Sequence, residues 1–470
     1  MKIALIAAAF SASTVFAFAP VSSRKARHSA FQIQSSNFLT FSGRTSLSSA
    51  SVTSSQVASA VADINENASR DLASFDEWAT NCGVQRAEGF QLTSDEDGLD
   101  WSIMTTQPHE EGVGVLSVPN SMILTSSRAR QEFEELGIDV HAAVDLLGRL
   151  GASDQIPQFY LFVKILAEYE KGDQSSWFPW LNSLPRLYYN AVSMTNFCYE
   201  CLPPLVFSLS RIERVKCDNF YDALQKVDFL TKETTSNKDL AKWAFNAVYT
   251  RCWGPDDDKQ IIPMVDMINH GTETEVATYY DDDGNCIVYT TKEVPAGSPL
   301  RMSYGDPTNP SHFFATYGFL DETSPATFSK IMLNPTAQLL DLGYDYSRML
   351  FYKDTGDISE EVWDVMLYQT LGASKEIEAQ QAFYEAHMSG DAENKQSIHQ
   401  HYFLQTAIAL QTHVDTFVTR LDELSEKGVG KDLIEHPRLP LILRHNEFVK
   451  STFLTVKARL DSMVAEAAGH

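Results

Sequence analysis

Cysteine is scarce in this chain. Six residues (Cys82, Cys198, Cys201, Cys217, Cys252 and Cys286) are spread over 470 positions, which excludes a disulfide scaffold. Only Cys198 and Cys201 have metal- or redox-type spacing, and no second pair matches them, so they read as two buried thiols in a helical bundle. Cations are also few: 37 Lys and Arg against 62 Asp and Glu, a formal net charge of −25. That balance argues against a nucleic-acid binder, because phosphate contacts need Lys and Arg. It would draw a partner with a basic patch. Histidine forms no ligand constellation: there is no HExxH, and His399 and His401 lie two apart, on different faces of a helical pattern. Gly112-Val113-Gly114 lacks the third glycine of a dinucleotide fingerprint and runs into a strand, so a tight turn explains it. No G-x-S-x-G elbow supports a serine triad.

Acidic residues are missing altogether from the first 62 positions; the first is Asp63. Lys2 is followed by the short apolar run "IALIAAAFSASTVFAFAP", with Ala17 placed as a signal-peptidase site before Phe18. The run is too short and too rich in Ala and Ser to span a membrane. Residues 18–65 are Ser-rich and carry Arg24, Lys25, Arg27 and Arg44, which makes a two-stage address of signal peptide (1–17) and transit-type segment. "VFA-FAP" resembles presequences of algae whose plastids derive from a secondary endosymbiont. That resemblance implies delivery to the plastid stroma, with no membrane span in the mature form.

What is present is a substantial apolar inventory. Hydrophobic residues make up 44 %, with 27 Phe, 18 Tyr and 7 Trp, enough for one large domain or two modest ones. "DLASFDEWATNCG" reads as a helix, and "WSIMTT" and "GVGVLSVP" as strands. Residues 127–245 switch to three-to-four spacing, the pattern of amphipathic helices. "EVATYYDDDGNCIVYTTKEV" returns to a hairpin centred on Asp283-Gly284-Asn285. From about 335 to 465 helices take over again. The fold class is α+β in two parts.

Two features stand out, although packed core tyrosines are an ordinary alternative for the second. "IIPMVDMINHG" (261–271) breaks an apolar run with Asp266 and ends on Asn269-His270. Tyr304 and Tyr317 follow, and two converging phenol rings could wall a narrow channel that orients an amine.

Four stretches, "SSWFPWLNSLP" (175–185), "WAFNAVYTRCW" (243–253), "IIPMVDMINH" (261–270) and "VPAGSPLRMSYGDPTNPSHFFATYGF" (294–319), together resemble the SET-domain methyltransferases. The likeness is to the branch of the Rubisco large-subunit lysine methyltransferase and the actin-histidine methyltransferases. It implies a β-clasp with a pseudoknot over 70–322, a helical insertion at about 127–240, and an all-α substrate-docking domain over 330–470. It implies S-adenosyl-methionine as methyl donor, no metal, a monomer, and a protein substrate offering a lysine, a stromal enzyme for example. By the same resemblance Tyr304 and Tyr317 are catalytic, and Asn269, His270, Asp266, Arg251, Trp101, Gly318 and Phe319 hold the cofactor. Arg251, Trp253, Asp266, Tyr279, Tyr280 and the two catalytic tyrosines contact substrate.

The chemistry suits these residue types. Methyl transfer is an in-line displacement that depends on alignment, and an aromatic channel favours the uncharged amine over the ammonium. Two departures stand out. Asp100-Trp101-Ser102 occupies the place of the family's G-x-G, which would weaken a cofactor site and opens the alternative of a non-catalytic binding module. Trp253 stands where the actin-histidine enzymes place Asn, which makes lysine the expected acceptor and histidine the alternative.

Overall fold

The computed structural model describes residues 60–94, 100–328, 337–344 and 349–469. The signal peptide expected over 1–17 and all but the last few residues of the transit-type segment expected over 18–65 lie outside the described residues. The strands are β1 (Gln85–Arg86), β2 (Phe90–Ser94), β3 (Trp101–Thr105), β4 (Gly114–Val118), β5 (Leu124–Thr125), β6 (Gln260–Ile261), β7 (Val276–Tyr280), β8 (Cys286–Thr290), β9 (Ser298–Pro299), β10 (Ala326–Phe328) and β11 (Leu350–Tyr352). They assemble into small sheets of order β1-β4-β8-β7, β2-β3-β9, β5-β6 and β10-β11. The hairpin β7–β8 turns where the sequence places it. Asp281 Oδ1 accepts the backbone amides of Asp283 (3.0 Å) and Asn285 (2.8 Å), and Gly284 takes the positive φ of 77° that a side chain would resist.

Between β5 and β6 the chain is helical: α1 (Leu72–Asn81) precedes the sheets, and the insertion carries α2 (Ser126–Glu135), α3 (His141–Arg149), α4 (Ile156–Lys171), α5 (Phe178–Ser183), α6 (Asn196–Glu200), α7 (Pro204–Leu224), α8 (Lys232–Ser236) and α9 (Lys238–Tyr249). Helix α4 is buried from Phe159 through Leu166, which explains its nearly continuous apolar sequence. Its one buried cation, Lys164, is held by Glu132 and Glu168, each at 2.6 Å. Phe159, Phe162, Phe220 and Phe245 pack there with the strands into one core.

The C-terminal part is α10 (Pro310–Thr316), α11 (Ala337–Asp341), α12 (Glu360–Ala373), α13 (Ile377–Ser389), α14 (Ala392–His401), α15 (Phe403–Gly428) and α16 (Leu439–Ala468). It has its own core around Phe351, Phe383 and Phe453. Leu439 and Ile442 of α16 reach back to Met194, Cys198, Cys201 and Phe314, so the two thiols are buried and free and belong to the seam between the parts. Among the described residues no helix is long and apolar enough to cross a membrane.

The architecture matches the expected α+β class. Locally, two things differ from the sequence reading. Strand β11 lies inside the stretch expected to be helical from about 335, and "IIPMVDMINHG" contains a turn that the sequence reading did not mark. Only Ile261 belongs to β6; Met264 then takes φ 75°, and residues Val265–Met267 form a single 3-10 turn. The turn closes through the Ile268 amide on the Val265 carbonyl at 3.0 Å. Alternation of apolar residues carries no mark of such a local reversal.

His445 on α16 lies at this seam with no exposed surface. Its Nε2 is 3.5 Å from Ser311 Oγ, its Nδ1 has no partner, and the Phe314 ring lies 4.6 Å away. Burial lowers its pKa to about 4. The neutral ring is therefore favoured by folding: the stability is whole above the unfolded value of about 6.5 and is lost as pH falls from there towards 4. Urea melts at pH 7 and pH 4.5 are expected to differ by up to about 3 kcal/mol from this group, and His445→Gln is expected to flatten that acid-side loss.

Candidate active site

Three of the four quoted motifs meet at one small cavity of about 40 Å³, lined by Arg251, Trp253, Asp266, Ile268, Met302, Tyr304 and Tyr317 among others. Helix α9 delivers Arg251 and Trp253 just past its end. The 3-10 turn delivers Asp266, and the segment after β9 and helix α10 deliver the tyrosines. The Tyr304 and Tyr317 rings lie 5.0 Å apart at 40°. Tyr304 Oη donates to the Ile268 carbonyl at 2.7 Å. Burial holds both phenols well above the usual tyrosine range, so both stay protonated and neutral.

Asp266 has no exposed side-chain surface. Trp180 Nε1, from the "SSWFPWLNSLP" stretch on α5, donates to its Oδ2 at 3.0 Å. Arg251 Nη1 donates to its backbone carbonyl at 2.6 Å and stands 3.4 Å from Oδ2. Burial raises the Asp266 pKa, opposed by Arg251, the Trp180 indole, the Met264 amide and Arg70.

Asn269 and His270 sit side by side with different tasks. Asn269 Nδ2 donates to the Trp101 carbonyl at 3.2 Å, joining the turn to β3. The Tyr304 amide donates to His270 Nδ1 at 3.1 Å, so the ring proton resides on Nε2, which faces Asp321 Oδ2 at 3.3 Å. Asp321 also accepts from the Thr272 and Thr323 hydroxyls and the Thr323 amide. These donors hold its pKa far below the usual carboxylate range against its burial. The His270 ring packs on Phe313 (4.4 Å) and Phe319 (5.6 Å).

Gly318 separates Tyr317 from Phe319 for a steric reason. Its φ is +83°, and a Cβ would lie 2.3 Å from the Asn190 amide nitrogen, so no other residue fits that approach. Trp101 and Ser102 pair in register with Ser94 and Thr93, and no residue from 100 to 102 has a positive φ. The backbone at this place therefore does not require glycine. Tyr279 and Tyr280 lie outside the cavity lining; they are 46 % and 43 % exposed on β7, and Tyr280 is reached by Gln260, which pairs with Trp253.

The groups around Asn269 suit a sulfonium nucleoside. Asn269 Oδ1 and the peptide carbonyls beside it accept hydrogen bonds, and the Phe313–Phe319 stack (5.5 Å, 19°) offers apolar faces for a base and a cation. Sequence reading missed Asp321, Trp180 as an anchor of Asp266, and Phe313. The first had one signal, an acid two residues beyond Phe319. Among the described residues no group of three or more potential ligands could hold a metal ion.

No protein-family model matches the chain. Human "SET domain-containing protein 4" is 21 % identical over 247 residues, covering 48 % of this chain and 54 % of that protein. The Drosophila melanogaster "Actin-histidine N-methyltransferase" is 23 % identical over 291 residues, covering 55 % and 51 %. The chain thus spans about half the length of these curated relatives. Among solved structures, Rubisco LSMT bound to AdoMet superposes with a TM-score of 0.57 at 15 % identity, covering 85 % of this chain and 93 % of that one. The LSMT SET domain bound to lysine and AdoHcy gives 0.57 at 14 %, with the same coverage. The fold is that of the SET domain with a helical C-terminal region.

Replacing Asp321 by Asn sets an amide against the His270 Nε2 proton or leaves it unpaired. Urea melting is expected to show a loss of about 2 kcal/mol, with a perturbed ring signal of Tyr304 by NMR.

Proposed function

We propose that the protein is an S-adenosyl-methionine-dependent protein methyltransferase whose acceptor is the ε-amine of a lysine. The observation that carries this reading is the narrow cavity between Tyr304 and Tyr317, closed by Asp266 and Arg251 and backed by Asn269-His270. When bound, S-adenosyl-methionine supplies an electrophilic methyl group. Asn269, the peptide groups at 268–271 and 101–102, and the ring of Phe319 would hold it. Tyr304 and Tyr317 confine the amine and exclude water, and alignment of this kind supplies much of the rate of a displacement. The fixed Tyr304 hydroxyl and the Ile268 carbonyl orient the acceptor nitrogen, and the apolar rings favour its uncharged form.

Trp253 at the cavity supports lysine, because an indole walls a channel without offering a hydrogen-bond acceptor to an imidazole. Histidine is the second reading, since one relative is an actin-histidine N-methyltransferase. The basic, acid-free stretch before Asp63 supports a plastid address, so the substrate is a stromal protein. Residues 1–65 fused to a fluorescent protein would then direct it to the plastid of an alga of that kind.

Purified residues 63–470 with methyl-labelled S-adenosyl-methionine are expected to label a protein in a stromal extract, and peptide mass spectrometry to place the methyl on lysine. A methyl on histidine moves the assignment to the second reading; no cofactor binding by calorimetry at millimolar concentration overturns the enzyme. Tyr304→Phe is expected to lower labelling about a hundredfold with cofactor affinity unchanged. A partner that binds equally to wild type and variant without acquiring label would instead identify a binding module.

A further inference from the structure

One buried group at the cavity is left unused by the scheme above. Asp266 Oδ1 is fully buried and has no hydrogen-bond partner, although the residue lines the cavity beside both tyrosines. An unpaired carboxylate oxygen removed from water costs free energy, so such an atom calls for an explanation. The Met264 amide lies near enough to lower the Asp266 pKa but makes no hydrogen bond to Oδ1. Trp180 occupies Oδ2, and the shortest bond of Arg251 goes to the backbone carbonyl rather than the carboxylate. The Arg251 Nε is likewise buried without a partner. The charged and titratable groups facing Asp266 are Arg251 and Arg70, with the neutral Tyr304 phenol across the cavity.

A lysine in water carries a proton up to a pH of about 10.4, and an ammonium has no lone pair to give. Tyr304 is a poor acceptor for that proton, since its own hydroxyl is protonated and committed to Ile268. We propose that Asp266 Oδ1 is the proton acceptor for the ammonium entering the cavity, an inference that rests on the lysine reading above. The N–H bond breaks with its electron pair left on nitrogen, and a lone pair of Oδ1 forms the new O–H bond. A cation and an anion thereby become two neutral groups, which a water-poor cavity favours. The methylated product keeps its positive charge, so the Asp266 proton returns to solvent once the channel opens. Burial, which pushes the Asp266 pKa upward, brings the carboxylate closer to the amine in proton affinity.

The test reads the proton directly and needs no turnover. L-lysine labelled with nitrogen-15 at the ε-position is bound to the protein with S-adenosyl-homocysteine at about pH 8, where free lysine is an ammonium. The expected result is a neutral-amine shift for the bound nitrogen in wild type. In Asp266→Asn the bound nitrogen is expected as ammonium, with affinity at least about tenfold weaker. An ammonium in both proteins, or a neutral amine in both, overturns the role of Asp266 while leaving the lysine channel standing. Failure of wild type to bind lysine overturns the channel itself. Trp180→Phe serves as a second variant, since it keeps Oδ1 and removes the donor to Oδ2. Loss of that donor raises the proton affinity of the carboxylate, so the bound amine is expected to stay neutral to at least as low a pH as in wild type. An amine that turns to ammonium at a higher pH than in wild type counts against the proposal.

Discussion

A carboxylate with no exposed surface organises this molecule. Asp266 is held at Oδ2 by the Trp180 indole, and its backbone carbonyl is held by Arg251. Through it α5, the end of α9 and the turn after β6 are fixed to one another. Partly compensated buried charge is tolerated only where the surroundings are over-determined, and here the surroundings are the largest aromatic core of the protein. Removing Arg251 would leave the anion without its nearest cation, and removing Trp180 would leave Oδ2 with only the longer Arg251 contact. These three residues fix the turn that supplies one wall of the cavity.

A second constraint runs in parallel. The His270 ring accepts from the Tyr304 amide and faces Asp321, so the tautomer of one ring decides where a tyrosine backbone sits. The Tyr304 hydroxyl then returns to Ile268, two residues before His270. Segments 266–272 and 302–305 are thus joined by main-chain bonds between Met302 and Asn269 and Gly271 as well as by these side-chain bonds, and 317–323 joins them through Asp321. Gly318, pressed against Asn190, joins the helical insertion to the same unit. The C-terminal helices attach by a different means, an apolar seam around Phe314, Leu439 and Ile442.

Much of this was legible in the chain. The β7–β8 hairpin announces itself by Asp283-Gly284-Asn285, because turn chemistry is local. The long amphipathic patterns predict α15 and α16, since a helix must bury one face wherever it packs. The four motifs predict that Arg251, Asp266, Tyr304 and Tyr317 share a site, and they line one cavity. Less legible were contacts between residues far apart with no pattern of their own: Asp321 to His270, Trp180 to Asp266. The turn within 261–271 was unmarked for a related reason. The positive φ of Met264 is imposed by tertiary packing and is contrary to the preference of that side chain.

The place of Asp100-Trp101-Ser102 shows where sequence reasoning ends. Loss of two glycines reads as damage when glycine is taken to mean backbone freedom, but Ser102 lies in ordinary extended pairing with β2, and Asp100 just before the strand takes no positive φ. What the sequence determined by itself was composition, element type and the set of polar residues too costly to bury without a purpose. Those follow from local conformational preference and from the cost of desolvation, both properties of single residues and near neighbours. Only the tertiary structure decided which carboxylate oxygen is left unpaired, which histidine nitrogen carries the proton and which tyrosines face the cavity. Each of those depends on a distance between segments, and distance is set by packing.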